Sequence, residues 1–397
     1  MPLACKRREG EIKVMIRKPE DLLVMRFVVD LRERWEDGYF CVRFLCNHLC
    51  SLSPVGKGVF YLTKGGRHLE IVIDNLVAKK GTKVSGYVAV PKTELKMPVT
   101  IINGQSAGKT VLITGGVHNA EYTGIETAIR LAQEMTPETV AGCLIIIHPV
   151  NISGFENRTM SVVAEDGKNL NRIFPGDRDG TTGDKLAAFL TEVFFKKADR
   201  FIDLHAGDGY ESLTPYVYYV GAAKEEVVSE AEAMAAAVLV PYRVKSYLAT
   251  SGAYNYAGSM GIPGILIERG GEARWSEDEI KKYQEDVKNV LRYLKVLDEP
   301  MQSPACKQLE VVDAVYEEAE ITGCWYPNKK AGEPFLKGEN LGMIKDYFGK
   351  VLQTCIAKYD GIVLYQVSSL TILKKSPMIA YGKIKNDGHH TNEKYKK

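Results

Sequence analysis

"VLITGGVHNAEYTGIETAIRLAQE", from Val111 to Glu134, decides the reading of this chain. An apolar run climbs into Gly115 and Gly116, His118 and Glu121 follow three residues apart, and a helical pattern begins. That sequence of signals predicts a buried strand, a sharp loop and a helix. Outward from it, "GYVAVPKTEL", "PVTIING", "GCLIIIHPV", "RFIDLHA" and "GILIERG" are short apolar runs closed by glycine or a polar turn. Helical stretches alternate with them: "TGDKLAAFLTEVFFKKA", "EEVVSEAEAMAAAVL" and "SEDEIKKYQEDVKNVLRYLKVL". Continuous apolar strands suit a sheet covered on both faces, so the fold class predicted is α/β. In such folds the polar residues at strand ends carry the chemistry.

The composition narrows the function classes. A net charge of +2 gives no field that would favour nucleic acid or a membrane surface. No window approaches the roughly 18 apolar residues of a membrane span, and no basic, apolar leader opens the chain. The eight cysteines are scattered, unlike a disulfide scaffold, so a reducing cytoplasm is expected. Residues 1–57 are charge-dense and are read as an extension without a legible role, either packed and helical or the product of a start codon set too early, since Met15 and Met25 lie within it. Cys41, Cys46, His48 and Cys50 within it match no common zinc spacing. Residues 58–300 form the predicted catalytic α/β domain, 305–384 a small all-β domain rich in turns, and 385–397 a disordered polar tail.

Two nucleotide signals fail on inspection. "GQSAGKT", Gly104–Thr110, has three residues between its glycine and the Gly-Lys pair, where a phosphate-binding loop needs four. It is read as a turn between strands. "VLITGG" lacks the later glycines of a dinucleotide fingerprint and puts Glu121 where a pyrophosphate would sit.

His118 and Glu121 can converge on one cation, and nitrogen with carboxylate oxygen suits Zn²⁺. Alone, the pair reads equally well as helix capping. His205, at the end of "RFIDLHA", offers a third ligand. Arg158 in "NISGFENRT" and Asn171-Arg172 in "KNLNRIFPG" follow one strand, and Glu268 ends another. An arginine beside a metal can stabilise an oxyanion, a second can hold a carboxylate, and a free glutamate can act as general base. The glycines before His118 then serve to turn the chain sharply at the strand end.

Taken together, "GGVHNAEYTGIE", "NISGFENRT", "GKNLNRIFPG", "DLHAGDG" and "IPGILIERGG" resemble the zinc carboxypeptidase-like hydrolases, most closely the succinylglutamate desuccinylase/aspartoacylase branch. The resemblance covers roughly Gly86–Leu297, and "KGENLGMIKDYFGKVLQTCIAKYDGIVL" resembles the branch's small β domain. It implies a mixed β-sheet flanked by helices and one Zn²⁺ per chain on His118, Glu121 and His205. It further implies Arg158 on the oxyanion side, Asn171 and Arg172 on a substrate carboxylate, and Glu268 as general base. The implied reaction is amide cleavage by metal-activated water, deacylating an N-acyl amino acid or similar small carboxylate. A metallocarboxypeptidase acting on peptide C-termini uses the same site, and an inactive ligand-binding homologue keeps the same fold. One residue departs from the branch: Asn169 stands where an aspartate commonly orients the first zinc histidine.

Overall fold

The computed structural model describes residues 70–385 and two earlier strands, Glu11–Arg17 and Leu22–Val28. The chain divides into the units Met1–Arg67 and His68–Lys397. In the first, the two strands pair antiparallel, with Glu11 opposite Val28 and Arg17 opposite Leu22. Over Glu11–Arg17 and Leu22–Val28 the predicted helix is therefore corrected to paired strands, and the rest of residues 1–57 lies outside the described residues. The alternating "EIKVMIR" has the two-residue period of a strand, which a dense mixture of charges had obscured. Cys41, Cys46, His48 and Cys50, and the tail from residue 386, lie outside the described residues.

The second unit is organised on one long sheet. Its main strands in chain order are β1 (Thr82–Ala89), β2 (Lys96–Asn103), β3 (Ser106–Gly115), β4 (Ala141–Ile147), β5 (Arg200–His205) and β6 (Glu211–Leu213). They continue as β7 (Tyr216–Val220), β8 (Tyr242–Ser246), β9 (Gly264–Glu268), β10 (Leu309–Glu318), β11 (Gly361–Val367) and β12 (Pro377–Ile384). Across the sheet the order is β6-β11-β12-β10-β8-β7-β9-β5-β3-β4-β2-β1. Strands β9, β5, β3 and β4 are neighbours and mutually parallel. Antiparallel partners flank them, β7 on β9 and β2 on β4, so the sheet is mixed. The helices are α1 (Tyr122–Glu134), α2 (Ile152–Asn157), α3 (Thr182–Phe189), α4 (Glu225–Ala236), α5 (Ala253–Ser259) and α6 (Glu277–Tyr293).

The parallel strands are apolar on both faces because helices cover them. Val111, Leu112 and Ile113 on β3 and Leu144–Ile147 on β4 have no exposed surface. Each such side chain contributes about 1.5–3 kcal/mol relative to leaving it in water. Only Gly104 and Gln105 join β2 to β3, and Ser106–Thr110 already forms the start of β3. Among the described residues no helix is long and apolar enough to cross a membrane.

The C-terminal β region does not begin a new sheet. β8 pairs in parallel with β10, Tyr242 opposite Leu309, and carries the sheet on into β12 and β11. β6 and β7 are nearly consecutive in the chain, yet they stand at opposite ends of the path β6-β11-β12-β10-β8-β7. That part of the sheet must therefore curl back on itself, around Tyr216, Val244, Val311, Leu364 and Ala380. A second sheet of four strands, Val351–Ile356, Asn340–Lys345, Gly323–Pro327 and Thr371–Ile372 in spatial order, packs about Trp325, Phe335 and Ile344.

The two glycines ending β3 have different tasks. Gly116 takes a φ of 77°, open to glycine and strained for other residues, and turns the chain toward His118. Gly115 instead lets α1 approach, since a Cβ there would lie 2.9 Å from the Gly124 carbonyl oxygen and 3.0 Å from the Ala128 Cβ. Gly116→Ala should lower the unfolding free energy by about 1–3 kcal/mol in a urea titration. Its methyl group would meet Pro149 Cβ at 2.7 Å and Ile125 Cγ1 at 2.9 Å.

Candidate active site

The parallel strands end along one edge of the sheet. Glu268 closes β9 with its Cα paired to that of His205, which closes β5. The next strand, β3, leads through Gly116 to His118 and Glu121, and β4 leads to the segment holding Arg158, Asn171 and Arg172. Residues distant in the sequence thus meet because their strands are neighbours.

Glu121 is the hub. It occupies the N-cap position of α1, yet its side chain makes no capping hydrogen bond. It turns inward instead, with Oε1 2.7 Å from His118 Nδ1 and Oε2 2.8 Å from His205 Nδ1. Oε2 also accepts from the Ala206 backbone N–H at 3.0 Å. The two rings meet edge to face with centroids 4.9 Å apart. One ligand atom from each of His118, Glu121 and His205 lies within 4.8 Å of the others. The helix-capping alternative is excluded by this geometry.

Both imidazoles present Nδ1 to Glu121 and anchor Nε2 elsewhere. His205 Nε2 lies 3.1 Å from Asp203 Oδ2, and Asp203 Oδ1 accepts from Thr114 Oγ1 at 2.6 Å. His118 Nε2 lies 3.1 Å from Asn169 Oδ1, which also accepts from the Asn171 N–H at 2.9 Å. A neutral amide oxygen therefore orients one histidine and a carboxylate the other. Two imidazole nitrogens and a carboxylate oxygen, each with its outer side secured, fit a borderline divalent cation such as Zn²⁺.

The charges explain one another. Burial alone pushes the Glu121 carboxyl up, but His205 and His118 outweigh it and hold the group at about 2. Burial pulls the His205 imidazole down, and Glu121 and Asp203 more than reverse that, raising it well above its ordinary value. Burial and the neighbouring Glu121 charge push Glu268 well above the usual carboxylate range. Its Oε2 is buried without a hydrogen-bond partner.

Hydrogen bonds tie the segments carrying Arg158 and Asn171-Arg172 to the histidine loop. Arg158, exposed, ends α2 in the left-handed region with a φ of 56°. The adjacent backbone is fastened beside the histidine loop, because Asn119 Nδ2 donates to the Thr159 carbonyl and Ala120 N–H to the Met160 carbonyl at 3.0 Å. Asn171 is buried, and its Oδ1 accepts from the Ala253 N–H at 2.8 Å, at the start of α5. Its amide N–H is then the group it can offer a ligand. Arg172 is exposed and donates to the Asn171 carbonyl at 3.0 Å.

Sequence reasoning missed four residues. Asp203, fully buried within an apolar strand two residues before His205, was legible as a charge out of place. Asp208 and Glu211 follow in the same "DLHAGDGYE" loop. Burial raises both, and Glu268 and Asp208 add to the rise at Glu211. Tyr365, from β11, feels Glu211, Glu268 and Arg172, which brings the C-terminal β region to this centre.

Residues 107–294 match the model of the succinylglutamate desuccinylase/aspartoacylase catalytic domain. An N-alpha-acetyl-L-2,4-diaminobutyric acid deacetylase of Halomonas elongata is 28% identical over 309 residues, covering 74% of this chain and 84% of that protein. A succinylglutamate desuccinylase/aspartoacylase of Rhodobacter sphaeroides superposes with a TM-score of 0.69 at 27% identity, covering 77% of this chain and 96% of that one. The apo ectoine utilization protein EutE (DoeB) of Ruegeria pomeroyi gives 0.65 at 26% identity, covering 76% and 95%.

The pair Glu121–His205 sets a pH signature in chelator-treated protein. The depressed Glu121 contributes stability that is complete above its ordinary 4.5 and is lost as pH falls through about 2. The raised His205 contributes stability that is complete below its ordinary 6.5 and is lost as pH rises past its shifted value. Urea unfolding across pH should show the largest contribution between 4.5 and 6.5, with the profile flattened in Glu121→Gln. An identical profile in the variant would contradict the coupling.

Proposed function

The chain belongs to the succinylglutamate desuccinylase/aspartoacylase family, and we propose that it is a zinc-dependent amidohydrolase. On this reading it releases the acyl group from an N-acyl amino acid or a similar small carboxylate. The observation that carries the proposal is the convergence of His118, Glu121 and His205 beside Glu268, whose buried Oε2 has no partner. The relatives whose names state an activity are deacylases, among them the diaminobutyric acid deacetylase.

His118, Glu121 and His205 would hold the cation. Zn²⁺ supplies Lewis acidity there, which acidifies water and polarises an amide carbonyl. Because His205 carries a raised pKa, binding has to displace its proton, so affinity rises with pH. Glu268, as its carboxylate, takes a proton from water while the water oxygen bonds to the carbonyl carbon. Glu268 would be favoured in that ionised form by a cation held on His118, Glu121 and His205, whose charge would offset the repulsion from Glu121. Arg158 pairs with the negative charge that develops on the carbonyl oxygen. Glu268 then returns the proton to the amide nitrogen as the C–N bond breaks, leaving a carboxylic acid and a free amine. Arg172 and the Asn171 amide N–H hold the substrate carboxylate.

Elemental analysis and assays on N-succinyl-L-glutamate, Nα-acetyl-L-2,4-diaminobutyrate and a short peptide test this reading. One zinc per chain and turnover of an N-acyl amino acid are expected, with chelation abolishing activity. Glu268→Gln should keep the metal and lose about 10²–10⁴-fold in kcat. Near-normal turnover in that variant would sink the assignment, and hydrolysis of the peptide alone would replace the deacylase with a carboxypeptidase. Arg172→Leu should raise KM by roughly 10–100-fold, the weight of a hydrogen bond to a charged group, with kcat little changed.

A further inference from the structure

Glu268 lacks the hydrogen bonds that ordinarily fix a general base. With Oε2 unpartnered, its carboxylate is aimed chiefly by the main chain that bears it. That main chain is tied on both sides to one helix, α6. Immediately before Glu268, the Tyr283 hydroxyl lies 2.5 Å from the Ile267 carbonyl oxygen. Immediately after it, Arg269 Nε donates to Asp286 Oδ2 at 2.6 Å. The same Tyr283 hydroxyl lies 2.9 Å from the carbonyl oxygen of His205, the residue paired with Glu268 across the sheet.

Tyr283 and Asp286 stand three residues apart on α6, hence on one face, and both are fully buried. Neither choice is the cheapest for packing. Phenylalanine would fill the Tyr283 site without a hydroxyl to satisfy, and an apolar pair in place of Arg269–Asp286 would escape desolvation. What these polar contacts add is direction, since each fixes a main-chain neighbour of Glu268 at hydrogen-bond distance. The brace also reaches the other side of the centre. Arg130 of α1 bonds Glu277 at 2.6 Å, and Lys288 of α6 bonds Glu134 at 2.6 Å, so α6 is tied to the helix that starts at Glu121.

We propose that Tyr283 and Asp286 are positioning residues that set the aim of Glu268 relative to His205 through the carbonyl oxygens of Ile267 and His205 and the Arg269 side chain. The inference rests on the general-base reading of Glu268. A base displaced by a fraction of an ångström still meets substrate but transfers protons poorly.

The test uses the full-length, zinc-loaded protein and whichever N-acyl amino acid of the panel above it turns over fastest. Tyr283→Phe should lose about 5–50-fold in kcat, keep KM within about twofold and retain one zinc per chain. Its kcat/KM pH profile should show a displaced acid limb. Asp286→Asn, which keeps an acceptor for Arg269, should show a smaller loss of the same kind, and it carries the test if Tyr283→Phe fails to fold. A role in stability alone predicts a lower melting temperature with kcat and the pH profile unchanged at 25 °C, and that result overturns the proposal. So does a kcat loss that follows loss of zinc. An active Glu268→Gln protein, or a wild type inert on the whole panel, removes the general-base reading itself. An inert Glu268→Gln with normal Tyr283→Phe and Asp286→Asn removes only the positioning.

Discussion

Four neighbouring strands, β9, β5, β3 and β4, run in the same direction, and the chemistry of this chain depends on that alignment. Parallel strands end together, so the residues that follow them crowd one edge of the sheet. Glu268 and His205 are register partners, and the loops after β3 and β4 bring the remaining groups. Reversing any one strand would carry its contribution to the opposite edge. The helices secure the alignment from outside. α1 lies close enough to the sheet that a Cβ on Gly124 would come within 2.7 Å of the Leu204 carbonyl oxygen, next to His205.

Collecting so many carboxylates has an electrostatic cost. Glu121 is in direct contact with both His118 and His205, which outweigh its burial, and it remains strongly ionised. Glu268, Asp208 and Glu211 are pushed up by burial, and neighbouring carboxylates raise each of them further. Elsewhere in the unit a buried carboxylate has a built-in cation: Asp286 has Arg269, although burial still lifts it to about 6. The centre differs in leaving its carboxylates facing one another. That imbalance is what a site arranged for a divalent cation and a charged substrate requires, and it argues against reading His118, Glu121 and His205 as a purely structural ion-pair cluster.

How much of this was legible depended on how local the signal was. Apolar runs and glycines gave β3, β4, β5 and β9, because strands buried on both faces have little polar alternation to confuse them. The Tyr-rich β7 and the polar-alternating β8 were passed over. The segment from Thr182 read as one helix, whereas α3 stops at Phe189 and a wider turn over Leu190–Phe194 follows. That turn seats Phe194 and Phe195 in the core, with Phe194 edge-on to Phe189 at 5.6 Å and Phe195 against Phe201 at 5.2 Å. His118-x-x-Glu121 was visible by spacing. Asn169 as the partner of His118 was legible only through the family resemblance, and the contact of Tyr283 with the His205 carbonyl was not legible at all, since those residues are far apart in sequence. Tyr283 in particular reads as an ordinary core position on α6, and only the carbonyl oxygens opposite it reveal more.

The least local feature is the continuity of the sheet. The sequence marks a change of style near residue 305, from helices and apolar strands to short strands and turns, and residues 305–384 are read from it as a small all-β domain. Strand pairing ties that region into the main sheet. β10 adds to β8, and β11 pairs with β6, the strand that carries Glu211 on the loop after His205. In that register Leu213 stands opposite Tyr365, and Glu211 opposite Val367. A second contact comes from β10, where Tyr316 lies 2.9 Å from the hydroxyl of Tyr218, the residue opposite Leu266 on β9. The C-terminal region is thus hydrogen-bonded to the strands that carry or neighbour His205, Glu211 and Glu268. Its Tyr365 lies within electrostatic reach of Glu211, Glu268 and Arg172, on a strand held in place by a backbone ladder. In the proposed deacylase, that placement brings the β region within reach of the residues assigned to the substrate carboxylate.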